Sequence, residues 1–141
     1  MSVVKYEELE HTGDVGLRIY GATLSELFVH AAEGMFSLIG CASFGEDETV
    51  TRHLQLAVTD ERDGLYQWLR ALLLDFNVRG FFPTAVSLDW RPGRIVATLR
   101  GGTFDPDRHE FFTEIKAVTQ HGLELRGDPR NGFAAEVIFD V

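Results

Sequence analysis

The apolar positions of this 141-residue chain change period along its length. The opening "VVKYEELEHTGDVGLRIY" predicts two short strands, near Val3–Leu9 and Val15–Tyr20, joined by His11, Thr12, Gly13 and Asp14. In "ATLSELFVHAAEGMFSLIGC" the residues Leu24, Leu27, Phe28, Ala31, Met35 and Phe36 recur at helical spacing. Thr23 with Glu26 three residues later is a capping box, and Gly40 is a natural stop. "ETVTRHLQLAV" then alternates, with some slippage, over Val50, Leu54, Leu56 and Val58, as a strand does. A second helix is predicted from about Glu61 to Asn77, with Asp60 as N-cap and an apolar face of Leu65, Trp68, Leu69, Leu72, Leu73 and Phe76.

After Phe82-Pro83 the pattern shortens. "AVSLDW", "RIVATLR", "EIKAVTQ", "LELR" and "AAEVIFDV" are rich in valine, isoleucine, leucine and threonine, and turn signals such as "RPG", "DPD" and "DPRNG" separate them. No Pro/Ser-rich linker, low-complexity stretch or repeat period interrupts the chain. The expectation is one α+β domain over residues 1–141, with two helices packed against mainly antiparallel β-sheet.

Charge narrows the function. Thirteen basic residues face 22 acids, a formal net charge of −9, and the basic residues are scattered. Proteins that grip phosphate backbones carry basic patches, so stable direct nucleic-acid binding is not expected. An acidic surface suits solubility, cation binding or docking on a basic protein. No apolar run approaches the roughly 20 residues of a membrane span, and "MSVVKYEELE" lacks a signal-peptide pattern, so a cytoplasmic protein away from membranes is expected. A single cysteine, Cys41, fits a reducing compartment and reads as a packing residue at the end of the first helix. Eleven of the basic residues are arginine; the two lysines are Lys5 and Lys116.

Few residues invite chemistry. Asp14 sits in a glycine-flanked turn, and Asp140 is followed directly by Val141 at the end of a strand. Should the second and last strands be neighbours, Asp14, Asp140 and the Val141 carboxylate would converge, and clustered carboxylates repel unless protonated or bridged by a hard cation such as Ca²⁺ or Mg²⁺. Turn formation and a solvated strand end explain each aspartate singly. Lys116 lies in "TEIKAVTQH", where Ile115 and Val118 have opposite parity and both strand faces should be covered. Its ammonium then either has an anionic partner or snorkels to the sheet edge. Asp105, Asp107 and His109 alternate in "DPDRH", which suits a metal, an acid/base pair or simply a turn. His30, His53 and His121 have no ligand spacing, and the phosphate-loop, dinucleotide, nucleophile-elbow, HExxH and paired CxxC signatures are missing.

Together these segments resemble the archease family. "YEELEHTGDVGLRIYGATLSELFVHAAEGMFSLI" is similar to its N-terminal block, "GLYQWLRALLLDFN" to its second helix, "RHEFFTEIKAVTQHGLEL" to its Glu-Ile-Lys-Ala-Val-Thr segment, and "AAEVIFDV" to its ending. The resemblance implies a non-catalytic accessory protein that promotes guanylylation and multiple turnover of an RtcB-type RNA ligase, which joins RNA ends using GTP and divalent metal. It also implies that Asp14 and Asp140 are metal-binding carboxylates and that Lys116 is needed for activation. From the residues themselves, His11 is expected to brace the turn rather than bind metal directly, and His109 is a supporting candidate. The chain departs from the family pattern at Gly13, where alanine is expected and the turn should loosen. It departs again at Ala71 and Leu74 on the second helix, at Gly102 and at Gln120. Two other functions fit the residues: a small metal-dependent phosphoester hydrolase using Asp14, Asp140 and His109, and a general chaperone, which would need an exposed apolar groove.

Overall fold

The structure is a computed structural model that describes residues 4–11 and 13–141, with the backbone alone at residues 10 and 11. The helices form where the local signals place them. α1 (Leu24–Ile39) starts on Thr23, whose hydroxyl accepts from the Glu26 N–H at 3.0 Å, while the Glu26 carboxylate accepts from the Ala22 N–H at 3.2 Å. α2 (Glu61–Arg79) starts on Asp60, which accepts from the Asp63 N–H at 2.8 Å, and ends on Gly80 in the left-handed conformation, its N–H on the Phe76 carbonyl at 2.8 Å. Gly40 ends α1 differently. Its backbone is extended, and a Cβ there would strike the carbonyl oxygen of Glu110, so the glycine lets another strand pass close by.

The strands are β1 (Tyr6–His11), β2 (Asp14–Gly21), β3 (Gly40–Cys41), β4 (Val50–Ala57), β5 (Phe81–Arg91), β6 (Arg94–Thr103), β7 (Glu110–Phe111), β8 (Ala117–Val118), β9 (Glu124–Asp128) and β10 (Gly132–Asp140). One sheet runs β1-β2-β10-β8 with β9 also on β10, a second runs β4-β6-β5, and β3 pairs with β7, every pairing antiparallel. The expected α+β domain with two helices on antiparallel sheet is the observed one.

α1 lies between the two larger sheets. Gly34 approaches Leu17 of β2 and Tyr6 of β1 on one side, while Phe28 meets the Trp90 ring of β5 at 5.3 Å on the other. A helix enclosed this way buries more than one stripe, so His30, Ala32, Gly34 and Ile39 are buried beside the predicted face. His30 is satisfied there by the Tyr20 carbonyl, 2.6 Å from its Nδ1. Trp68 of α2, fully buried, donates from Nε1 to the Phe28 carbonyl at 2.8 Å and pins the helices together. Cys41 is exposed: it lies past the helix end in β3, beyond the packed stripe, contrary to the packing role expected of it.

Gly64 of α2 gives a test of this packing. Alanine would favour the helix by about 1 kcal/mol, yet its Cβ would stand 2.6 Å from the Trp90 ring, which Phe28 and a hydrogen bond from the Trp90 N–H to Ser25 Oγ hold in place. Overpacking of that kind costs about 1–3 kcal/mol. Gly64→Ala is therefore expected to lower stability by about 1 kcal/mol net, read as a reduced midpoint in urea unfolding with an unchanged slope.

Candidate functional site: an acidic pair at the sheet end

β2 and β10 come from opposite ends of the sequence and pair over eight registered positions. Leu17 faces Val137, and both are fully buried against the helices. The alternate residues face outward: Arg18 opposite Glu136, Gly16 opposite Ile138, and Asp14 opposite Asp140. Arg18 and Glu136 make an ion pair at 2.6 Å, and the Glu136 carboxylate raises the Arg18 pKa above its ordinary value. The same ladder thus matches opposite charges at one rung and sets two carboxylates side by side at its end. Asp14 is half-buried and Asp140 exposed. Among the described residues neither carboxylate has a hydrogen-bond or ion-pair partner. Val141 follows Asp140 and packs, half-buried, on the core.

The turn that delivers Asp14 uses Gly13 at a φ of 79°, with nothing within 4 Å of a Cβ placed there. Glycine suits that left-handed position and alanine would be strained, so Gly13 does not loosen the turn as expected. His11 stands opposite Asp14 in the β1–β2 ladder. Its side chain, with Thr12 and Val3, lies outside the described residues.

Lys116 joins the pair through its backbone, whose N–H donates to the Asp140 carbonyl at 2.8 Å. Its side chain is exposed, so the expectation that apolar groups flank it on both faces fails: β8 begins only at Ala117, and residue 116 is outside the covered sheet. Buried Val118 faces the helices, and Lys116, two residues earlier, lines a cleft of about 190 Å³ with Tyr66, Arg70, Leu73, Leu74 and Asn77 of α2, so apolar groups stand beside it on the helix side alone. The structure therefore brings Asp14 and Asp140 together on the outer face and places the Lys116 stem around the strand end from them.

His109 is not part of this group. Its Nδ1 accepts from the Asp105 N–H at 2.9 Å and its Nε2 lies 3.1 Å from the Ser43 carbonyl, which fixes the tautomer with the proton on Nε2. Its ring packs on Phe44 and Phe104. Asp105 accepts from the Asp107 N–H at 2.9 Å, so "DPDRH" is a turn. Among the described residues no three His, Cys, Asp or Glu side chains are grouped so as to hold a metal ion. Gly102, another departure, lies under the Phe44 ring, where a Cβ would come within 2.5 Å.

The fold and the outward acidic pair define a small α+β protein with an open, oxygen-rich site. The family model described as "Archease protein family (MTH1598/TM1083)" matches residues 6–141. The archease of Methanosarcina acetivorans is 37% identical over 97% of this chain and 96% of its own length, and that of Sulfurisphaera tokodaii 32% identical over 86% and 88%. The solution structure of Methanobacterium thermoautotrophicum protein 1598 superposes with a TM-score of 0.77 at 29% identity, covering 96% of this chain and 98% of that one. The crystal structure from Thermotoga maritima, described as an archease and possible chaperone, shares the fold at a TM-score of 0.68 and 20% identity over 96% of both chains. This chain belongs to the archease family. No helix among the described residues is long and apolar enough to cross a membrane.

The loops around His109 carry a separate electrostatic link. Arg108 donates to Glu48 at 2.6 Å and lowers its pKa from 4.5 to about 2. A carboxylate whose folded value lies below its unfolded one contributes fully above the unfolded value and loses that contribution as pH falls toward the folded one. The link should hold at pH 4.5 and fade between there and about 2. An NMR titration of the Glu48 side chain is expected to show a midpoint near 2, moving back toward 4.5 in Arg108→Gln.

Proposed function

We propose that this protein is a non-catalytic activator of an RtcB-type RNA ligase, promoting its guanylylation and repeated turnover in tRNA splicing or RNA repair. The observation that carries the reading is the cross-strand juxtaposition of Asp14 and Asp140 at the end of a ladder that elsewhere pairs opposite charges. Like charges directly opposite destabilise a sheet by about 0.2–1 kcal/mol, and a bridging hard cation relieves that repulsion. Asp14, Asp140 and the oxygens of Val141 would hold Ca²⁺ or a similar divalent ion, leaving other positions for water or for oxygens of the ligase and its nucleotide. The cation would supply positive potential for phosphate oxygens at that rim. Lys116 would add its ammonium: its stem starts one hydrogen bond from Asp140 and is exposed, so it can turn toward the same rim. The chain's net charge of −9 suits approach to a basic protein surface and not to RNA itself. The hydrolase alternative loses its base, because hydrogen bonds occupy both nitrogens of His109.

Two measurements test this. Multiple-turnover ligation of an RNA ending in a 2′,3′-cyclic phosphate, by the cognate ligase with GTP and metal, is expected to be stimulated by the wild type. Asp14→Ala, Lys116→Ala and Asp140→Ala should each lose at least about tenfold of that stimulation, equivalent to about 1.4 kcal/mol. A competent ligase that ignores the wild type overturns the activator role. In thermal unfolding, Ca²⁺ is expected to raise the wild-type midpoint and leave Asp140→Asn unmoved. In chelator Asp140→Asn should be the more stable protein, by about 0.5 kcal/mol from the relieved repulsion.

A further inference from the structure

A second surface stands on the other sheet, with different chemistry. β4 is the edge of β4-β6-β5, and its eight residues pair with β6 without a register shift. Among the described residues no backbone group of Val50–Ala57 bonds to any element besides β6. Natural edges are blunted by lysine, proline, bulges or short length. β4 has no lysine, proline or bulge, and its arginine, Arg52, is tied to Asp75 of α2, whereas β5 carries Pro83 and a bulge, and the β1 edge carries Glu7 and Glu8.

Beside this edge runs a cleft of about 330 Å³ between β4 and α2, walled by Leu54, Leu72, Leu99 and Ala71. Leu74 and Val78, one helical turn apart on its rim, are 58% and 71% exposed. An unpaired, regular strand edge next to an apolar groove is the arrangement by which a protein accepts an added strand, with main-chain bonds giving affinity and alternate side chains filling the groove.

The charges select the occupant. Arg52 and Arg79 share a single carboxylate, Asp75, at 3.3 and 3.8 Å, which leaves the groove rim cationic on an acidic protein. On the outer face, β6 exposes Arg94 and Arg100, and neither β4 nor β6 contains an acid. A second copy would bring Arg52 and His53 of its own β4 against like charges, and the net charge of −9 on each copy opposes it further. We infer that the β4 edge and the adjoining α2 groove bind an extended segment of a partner protein, with apolar side chains in the groove and acidic side chains between them on the outer face. This surface holds neither Asp14 nor Asp140, and it adjoins the Lys116 cleft through Leu74, which lines both.

A fluorescein-labelled ten-residue peptide alternating leucine and glutamate is the probe, titrated into the full chain by anisotropy. Expected are saturable binding and slowed amide hydrogen exchange confined to residues 50–57. Affinity should fall about tenfold for each of three changes: Val78→Glu in the protein, lysine for glutamate in the peptide, and alternate N-methylation of the peptide backbone. Val78 is exposed and lies outside the Lys116 cleft, and unchanged circular dichroism with an unchanged thermal midpoint would show the fold intact. Absence of binding at millimolar peptide, equal binding of the N-methylated peptide, or unaltered exchange over 50–57 would overturn the inference. So would a dimer in sedimentation that Val78→Glu dissociates, since the edge would then belong to a second copy.

Discussion

The register between β2 and β10 is the constraint on which the rest of this structure depends. It places fully buried Leu17 opposite Val137, pairs Arg18 with Glu136, and leaves Asp14 facing Asp140. A slip of one residue would turn Val137, Phe139 and Ala135 to solvent. Burial of a large apolar side chain is worth about 1.5–3 kcal/mol, while the like-charge contact costs at most about 1 kcal/mol. Burial wins, so the two carboxylates stay opposed. The opposition of the two aspartates is thus fixed by the backbone register, and a counter-charge is one way to offset their like charges.

α1 transmits this constraint to the rest of the molecule. Pressed on β1 and β2 through Gly34, and on β5 through Phe28, it is the layer on which both sheets depend. Its end also sets the path toward the acidic pair. The Ile39 carbonyl accepts from the Phe112 N–H at 2.8 Å, and the chain then runs from that anchor to Lys116 on the Asp140 carbonyl. The β4 edge belongs to the other sheet and holds neither Asp14 nor Asp140, while its groove meets the Lys116 cleft at Leu74.

Local chemistry was legible in the sequence, and distant pairing was not. Thr23, Asp60 and Gly80 act within one helical turn, and the helices start and stop close to where those residues predict. The α+β class followed from the change of period at Phe82-Pro83. Asp14 and Asp140 were conspicuous one at a time, but strand order is a tertiary property: Arg18 and Glu136, which share their ladder, are 118 residues apart. Parity misled at Lys116 because alternation says which face a residue takes, not where the covering sheet stops. His109 looked equally available in turn and ligand roles until Ser43, a backbone partner from another loop, claimed its second nitrogen. The β4 groove was not legible, because Leu74 and Val78 become its exposed rim only once β4 lies beside α2.

An incomplete site can serve an accessory protein better than a complete one. Hard cations take six to eight oxygens in flexible geometry. Two aspartates and the end of β10 supply fewer, and they stand on an outward face. A closed cage would bind the ion tightly and keep it from anything else. An open one leaves ligand positions that another molecule's phosphates or carboxylates can fill, so affinity for the ion and affinity for the partner rise together, each strengthening the other by the same coupling free energy. On the proposed reading, the shortage of ligands at Asp14 and Asp140 is therefore what would make the interaction with a ligase cation-dependent. By linkage that dependence would be reciprocal, with the ligase tightening the ion as much as the ion tightens the ligase.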